Sequence, residues 1–179
     1  MELRMHVIFA SPYISPFKSF GNLVVFMIVQ CVGNDASHLP LEDVDFYGTL
    51  HTKFSVEVGK SYTVYAMQMH EGRIDILIRD SSGGPDWNPI KLFRVVDSRI
   101  PAHWEFASFF DPSGEVERRR EEIGERWGFR PDDSARWGYP EIVHSDEHYL
   151  GIVDARHDDL RRFYREEQRI KNEQECEGM

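Results

Sequence analysis

Between Ser61 and Asp80 the sequence reads SYTVYAMQMHEGRIDILIRD. Two runs rich in β-branched and aromatic residues flank a His70-Glu71-Gly72 turn, and apolar residues recur at alternate positions in each run. A period of two belongs to a pleated strand with one face buried, so the stretch predicts a β-hairpin. Tyr62, Val64 and Ala66 are expected on one face of the first arm, with Thr63 and Tyr65 opposite. In the second arm Ile74, Ile76 and Ile78 share a face, and Asp75, Leu77 and Arg79 take the other. An isolated hairpin is marginal in water, so further strands have to cover this one.

The flanking sequence supplies them. NLVVFMIVQCVG (Asn22 to Gly33) is too short to cross a membrane as a helix and is rich in β-branched residues, so it reads as a buried strand rather than a signal peptide. Phe54, Val56 and Val58 alternate with polar residues up to a Gly59-Lys60 turn. DSSGGPD is a loop by composition, and WNPIKLFRVVD reads as a strand whose Pro89 sits at a start, edge or bulge. A last short strand follows Pro101 in SRIPAHWEF, whereas HLPLEDVDFYGTLHT (His38 to Thr52) reads as loop with one short helical turn. Short strands joined by tight turns imply a small SH3-like antiparallel barrel or a strongly bent sheet. Trp87 and Phe93 are expected to pack across its mouth, with Trp104 closing one end.

After FFDPSG the texture becomes helical. EVERRREEIGERWG carries a thin apolar face of Val116, Ile123 and Trp127 and ends at Gly128. FRPDDSARWGYP reads as a linker, and helices are expected over about 141–153 and about 156–171. Leu160, Phe163, Tyr164 and Ile170 line one face of the last, and Asp158 and Asp159 open it, as the helix dipole favours. The organisation predicted is α+β: an N-terminal extension over 1–26, with Met27 as an alternative start, a β-rich SH3-like region over 27–110, and a helical C-terminal region over 111–179.

Charge narrows the function. The 179-residue chain carries a formal net charge of -10, which repels nucleic-acid backbones and favours a basic protein partner. Cys31 and Cys176 are the only cysteines, so neither a disulfide scaffold nor a zinc knuckle is built, and a reducing cytoplasm is the natural setting. No membrane association is expected. In HSDEHYLGIVDARHDD, His144 and His148 stand four apart with His157 nearby, a spacing that one helical face could offer to a metal. The zincin pattern, however, needs glutamate where Ser145 stands, and Ser145 is better placed as an N-cap. There is no G-x-S-x-G, and SSGGPD lacks the P-loop lysine, so no cofactor is expected.

Taken together, VGKSYTVYAM, GRIDILIRD, PDWNPIKLFRVVDSRIPAHWEF, WGYPEIVHSDEHYLGIVD and the closing amphipathic helix resemble a group of small, immunity-like bacterial proteins associated with toxin cassettes. The resemblance covers about Met27 to Lys171, and it departs where the group has WYP and this chain has Trp87-Asn88-Pro89. It implies a non-enzymatic inhibitor or binding protein. With the acidic charge, it points to a protein that masks a basic toxin, with Glu42, Asp43, Asp45, Asp80, Asp86 and Trp87 in the contact surface. The alternatives are a small metal-dependent hydrolase using His144 and His148, and a peptide-binding SH3-like adaptor whose groove includes Trp87.

Overall fold

The computed structural model describes residues 26–70, 72–109 and 134–176, with side chains as far as Asn172. Its spine is the first arm of the expected hairpin. β2 (Ser61–His70) pairs antiparallel with β3 (Arg73–Arg79), and β3 pairs with β4 (Pro85–Pro89). The other edge of β2 is divided. Its first residues take β1 (Ile28–Cys31), which leads to β5 (Phe93–Asp97). Ala66 to Met69 take β7 (Ala135–Gly138), which leads to β6 (Glu105–Ser108). The result is one branched antiparallel sheet of seven strands that does not close. The α+β class stands, and the bent sheet replaces the barrel.

A bulge explains part of the bend. The β2–β3 register slips between Val64 and Ala66, so alternation reverses there. Val64 faces one core, Tyr65 and Ala66 both face the other, and Met67 returns to the first. The expectation that Ala66 shares a face with Val64 fails for this reason. β3 runs regularly, and both its faces are buried: Ile76 and Ile78 enter the first core, Leu77 the second.

The first core lies under α1 (Leu41–Tyr47), which sends Val44 into it beside Val29, Leu92 and Phe93. The second lies under the C-terminal helices, where Tyr139, Ile142, Ile152 and Phe163 meet Tyr65 and Leu77. Burying a side chain of this size contributes about 1.5–3 kcal/mol, so the helices are part of the same folded unit as the sheet. Trp87 and Phe93 therefore do not meet across a mouth. Trp87 packs on Tyr149, ring centroids 5.6 Å apart, whereas Phe93 stands edge-on to Tyr62 in the other core. Trp104 packs against the first core as a partly buried ring.

Other boundaries moved. Residues 54–58 form no strand: Lys53 makes an isolated bridge to Asp35, and the chain turns through Gly59 at φ 88°. Phe26 is buried in the second core, so the first core residue precedes Met27. The stretch expected to be a linker contributes β7. The helix expected over 115–127 lies outside the described residues. The helix expected over 141–153 is two, α2 (Pro140–His144) and α3 (Asp146–Val153), broken at Ser145, whose Oγ accepts from the His148 N–H at 3.1 Å. The predicted N-cap is thus realised at the start of α3. A final helix, α4 (His157–Cys176), follows a turn in which Ala155 holds φ 52°. Alanine in this left-handed region is strained by about 1 kcal/mol. Ala155→Gly is therefore expected to raise stability by up to about 1 kcal/mol in urea denaturation, although glycine loosens the unfolded chain.

Candidate functional site

The acidic residues singled out in the sequence fall into two places. Glu42, Asp43 and Asp45 lie on α1, and Asp80, Asp86 and Trp87 lie at the β3–β4 turn and on β4. Within each group the residues differ sharply.

Asp43 is 5% exposed and belongs to the interior. It accepts from Arg73 Nε at 3.2 Å through one oxygen and from Lys91 Nζ at 2.8 Å through the other. Asp80, 8% exposed, is likewise structural. Its Oδ1 accepts from the Ser82 hydroxyl and from the N–H groups of Ser82, Gly83 and Gly84, which fixes the turn in the manner of aspartate at a loop start. Both carboxylates are buried and engaged within the protein, Asp43 by two cations and Asp80 by its own turn.

Asp86 keeps its solvent exposure, and its carboxyl is pushed up to about 6. The packed protein around it is the larger cause, and the Asp80 charge adds to it. Between the ordinary aspartate range and pH 6 the native chain then holds more protons than the unfolded chain. The contribution of Asp86 to stability is accordingly expected to fall as pH rises from about 4 to about 6. Urea denaturation across that window, with wild type beside Asp86→Asn, reads the effect; the variant should lose that part of the slope. Trp87 is partly buried and packs on Tyr149.

Glu42 and Asp45 remain. Successive helical residues turn by about 100°, which places Leu41, Asp45, Glu42 and Phe46 in that angular order within an arc of about 140°. Asp43, Tyr47 and Val44 fill the opposite side, and all three are engaged inside: Val44 in the first core, Asp43 with its two cations, and Tyr47 with its hydroxyl donating to Asp75 at 2.6 Å. Burial, followed by the Asp75 charge, holds the Tyr47 phenol far above its usual range, so it stays a donor. The outward arc is open: Leu41 is 76% exposed and Phe46 39%, and Glu42 and Asp45 are exposed. Neither of these carboxylates pairs with a cation among the described residues. Phe46 is held in place by His70, ring centroids 4.9 Å apart, and by the Arg73 guanidinium 4.8 Å from its ring centre.

The histidines expected as alternative metal ligands are dispersed. The break at Ser145 puts His144 and His148 on different helices. His144 is exposed and meets Glu105, His148 is fully buried, and His157 is exposed beside Asp158. Among the described residues, no group of three or more His, Cys, Asp or Glu side chains is placed to hold a metal ion. His148 instead joins a buried chain. Its Nε2 lies 2.8 Å from the Tyr139 hydroxyl, and its Nδ1 lies 2.8 Å from Asp159. A neutral ring with its proton on Nδ1 satisfies both contacts. Arg156 and Arg162 close the far side of Asp159. Another buried carboxylate, Glu167, takes Arg79, Lys171 and the Tyr65 hydroxyl. Burial opposes its charge, but Lys171 and Arg79 outweigh this and hold its carboxyl below the ordinary range. The first network binds α4 to α3, and the second binds α4 to β2 and β3.

No protein family, curated protein or solved structure matches the chain. Among the described residues, no helix is long and apolar enough to cross a membrane.

Proposed function

We propose that this chain is a binding protein of the inhibitor or immunity type, acting in the cytoplasm by covering a basic protein, such as a toxin. The reading rests on one observation: the carboxylates of α1 divide into an inward one neutralised by Lys91 and Arg73 and two outward ones that meet no cation among the described residues. A net charge of -10 adds a long-range field that speeds encounter with a cationic surface. The buried His148, Asp159 and Glu167 are engaged by protein partners, a structural use of these groups.

The test is association with a basic protein from the native host, followed across ionic strength. A one-to-one complex is expected whose association rate falls about tenfold or more between low salt and about 0.5 M. A partner of acidic character, or an association rate indifferent to salt, overturns the reading.

A further inference from the structure

We infer that α1 is the docking element itself, and that it fits a partner surface with an apolar pocket rimmed by lysine or arginine side chains. The inference deepens the proposed function and rests on it.

Four features carry it. Leu41 and Phe46 stand at the two margins of the outward arc, and Glu42 and Asp45 lie between them, so apolar and acidic groups share one face only two turns long. Single exposed apolar residues are ordinary, but here Leu41, at 76% exposure, and Phe46 share the outward arc while Val44 and Tyr47 are turned inward. The helix is anchored from behind by Asp43 on Lys91 and Arg73 and by Tyr47 on Asp75. Phe46 is fixed between His70 and Arg73. A rigid element loses little conformational freedom on binding, so its contacts convert efficiently into affinity. The charge complement is acidic: Arg73, which lies over the Phe46 ring and donates to the Glu42 carbonyl oxygen at 3.4 Å, pairs with Asp43, as does Lys91, whereas the Glu42 and Asp45 carboxylates pair with no cation among the described residues. An acidic or nucleic-acid surface is repelled there, whereas a lysine- or arginine-rimmed pocket gains both ion pairs and apolar cover. β4 has no part in this surface, since its Asp86 pairs across from Ile78, away from the Arg73 end of β3 that meets α1.

The probe is a helical peptide with leucines on one face and lysines flanking them, titrated into the full chain and followed by amide chemical shifts. Shifts are expected at Leu41, Asp45 and Phe46 and their neighbours His70 and Arg73, with Asp86 and Trp87 unmoved. Leu41→Ala should weaken binding about tenfold, and so should the pair Glu42→Gln with Asp45→Asn, with an unchanged Tm because these side chains are exposed. A glutamate version of the peptide should not bind. If the lysine peptide binds but the shifts centre on Asp86 and Trp87, or Leu41→Ala binds as wild type does, the α1 assignment is wrong and the basic-partner reading survives. If the glutamate peptide binds and the lysine peptide does not, the basic-partner reading fails as well.

Discussion

Gly151→Ala is expected to destabilise the chain by about 3–5 kcal/mol, which for its size lowers Tm by about 10 °C. Secondary-structure propensity predicts the opposite sign. Gly151 lies inside α3, where alanine is favoured by about 1 kcal/mol. Packing decides against it: a Cβ on residue 151 would sit 1.9 Å from Asp159 Oδ2 and 2.1 Å from its Cγ. The Asp159 carboxylate cannot retreat without releasing its contacts. Its Oδ1 accepts from His148 Nδ1 at 2.8 Å, and its Oδ2 lies 3.2 Å from Arg156 Nε. Turning it outward strands the imidazole, which is fully buried, and breaks the link between α3 and α4. An unsatisfied buried group alone costs about 1–3 kcal/mol, and a charge torn from its partners more. Urea or thermal denaturation of four proteins separates the causes: wild type, Gly151→Ala, Asp159→Ala and the double variant. In the Asp159→Ala background the added methyl meets no carboxylate, although the Cβ of residue 159 still lies 2.7 Å away, so Gly151→Ala should there cost less than in wild type. Additive losses would show that the two residues do not touch.

The same contrast between local pattern and distant partner governs what could be read from the sequence. The β2–β3 hairpin was legible because alternation and a glycine turn are local signals, and Met69 does face Ile74 across it. The bulge at Tyr65 was not, because both faces of β2 are apolar and nothing in the chemistry of Val64, Tyr65 and Ala66 marks where alternation slips. β7 escaped for a related reason: four residues, Ala-Arg-Trp-Gly, show no period, and the strand exists because two strands are waiting for it. Ser145 was legible as an N-cap, but its second role in ending α2 was not. The site was half legible. Glu42, Asp43 and Asp45 are alike as sequence; what separates them is the phase of the helix and the arrival of Lys91 from a single 3-10 turn, Ile90–Leu92, far along the chain. Leu41 and Phe46 went unremarked because a segment read as loop has no faces, although the 3.6-residue period applied to LEDVDFY draws the arc at once.

Gly138→Ala should be nearly as damaging, at about 2–4 kcal/mol, and it tests whether residues after 134 complete the sheet. Residue 138 faces Ala66 across the β2–β7 pairing and sits beneath the start of α2. An added Cβ would lie 2.6 Å from Ala66 Cβ, 2.8 Å from Ile142 Cγ2 and 3.1 Å from Ala66 Cα. Alanine is the better strand residue, worth a few tenths to about 1 kcal/mol in its favour, but here neither neighbour can swing away. Ala66 is backbone with a single methyl, and Ile142 is fully buried in the second core. The strand must therefore separate or tilt, carrying the Arg136 side chain out of its place against Tyr149, where the guanidinium sits 4.2 Å from the ring centre. Compensation gives the sharper reading. Ala66→Gly removes the closest clashing atom, so adding it to Gly138→Ala should return about 1 kcal/mol or more, although Ala66→Gly alone destabilises. Hydrogen exchange of the β7 amides should follow the same order, fastest in Gly138→Ala and slowed again in the double variant. A double variant no more stable than the sum of its parts would mean that Ala66 and Gly138 are not opposed, and the branch of the sheet that carries β6 and β7 would have to be redrawn.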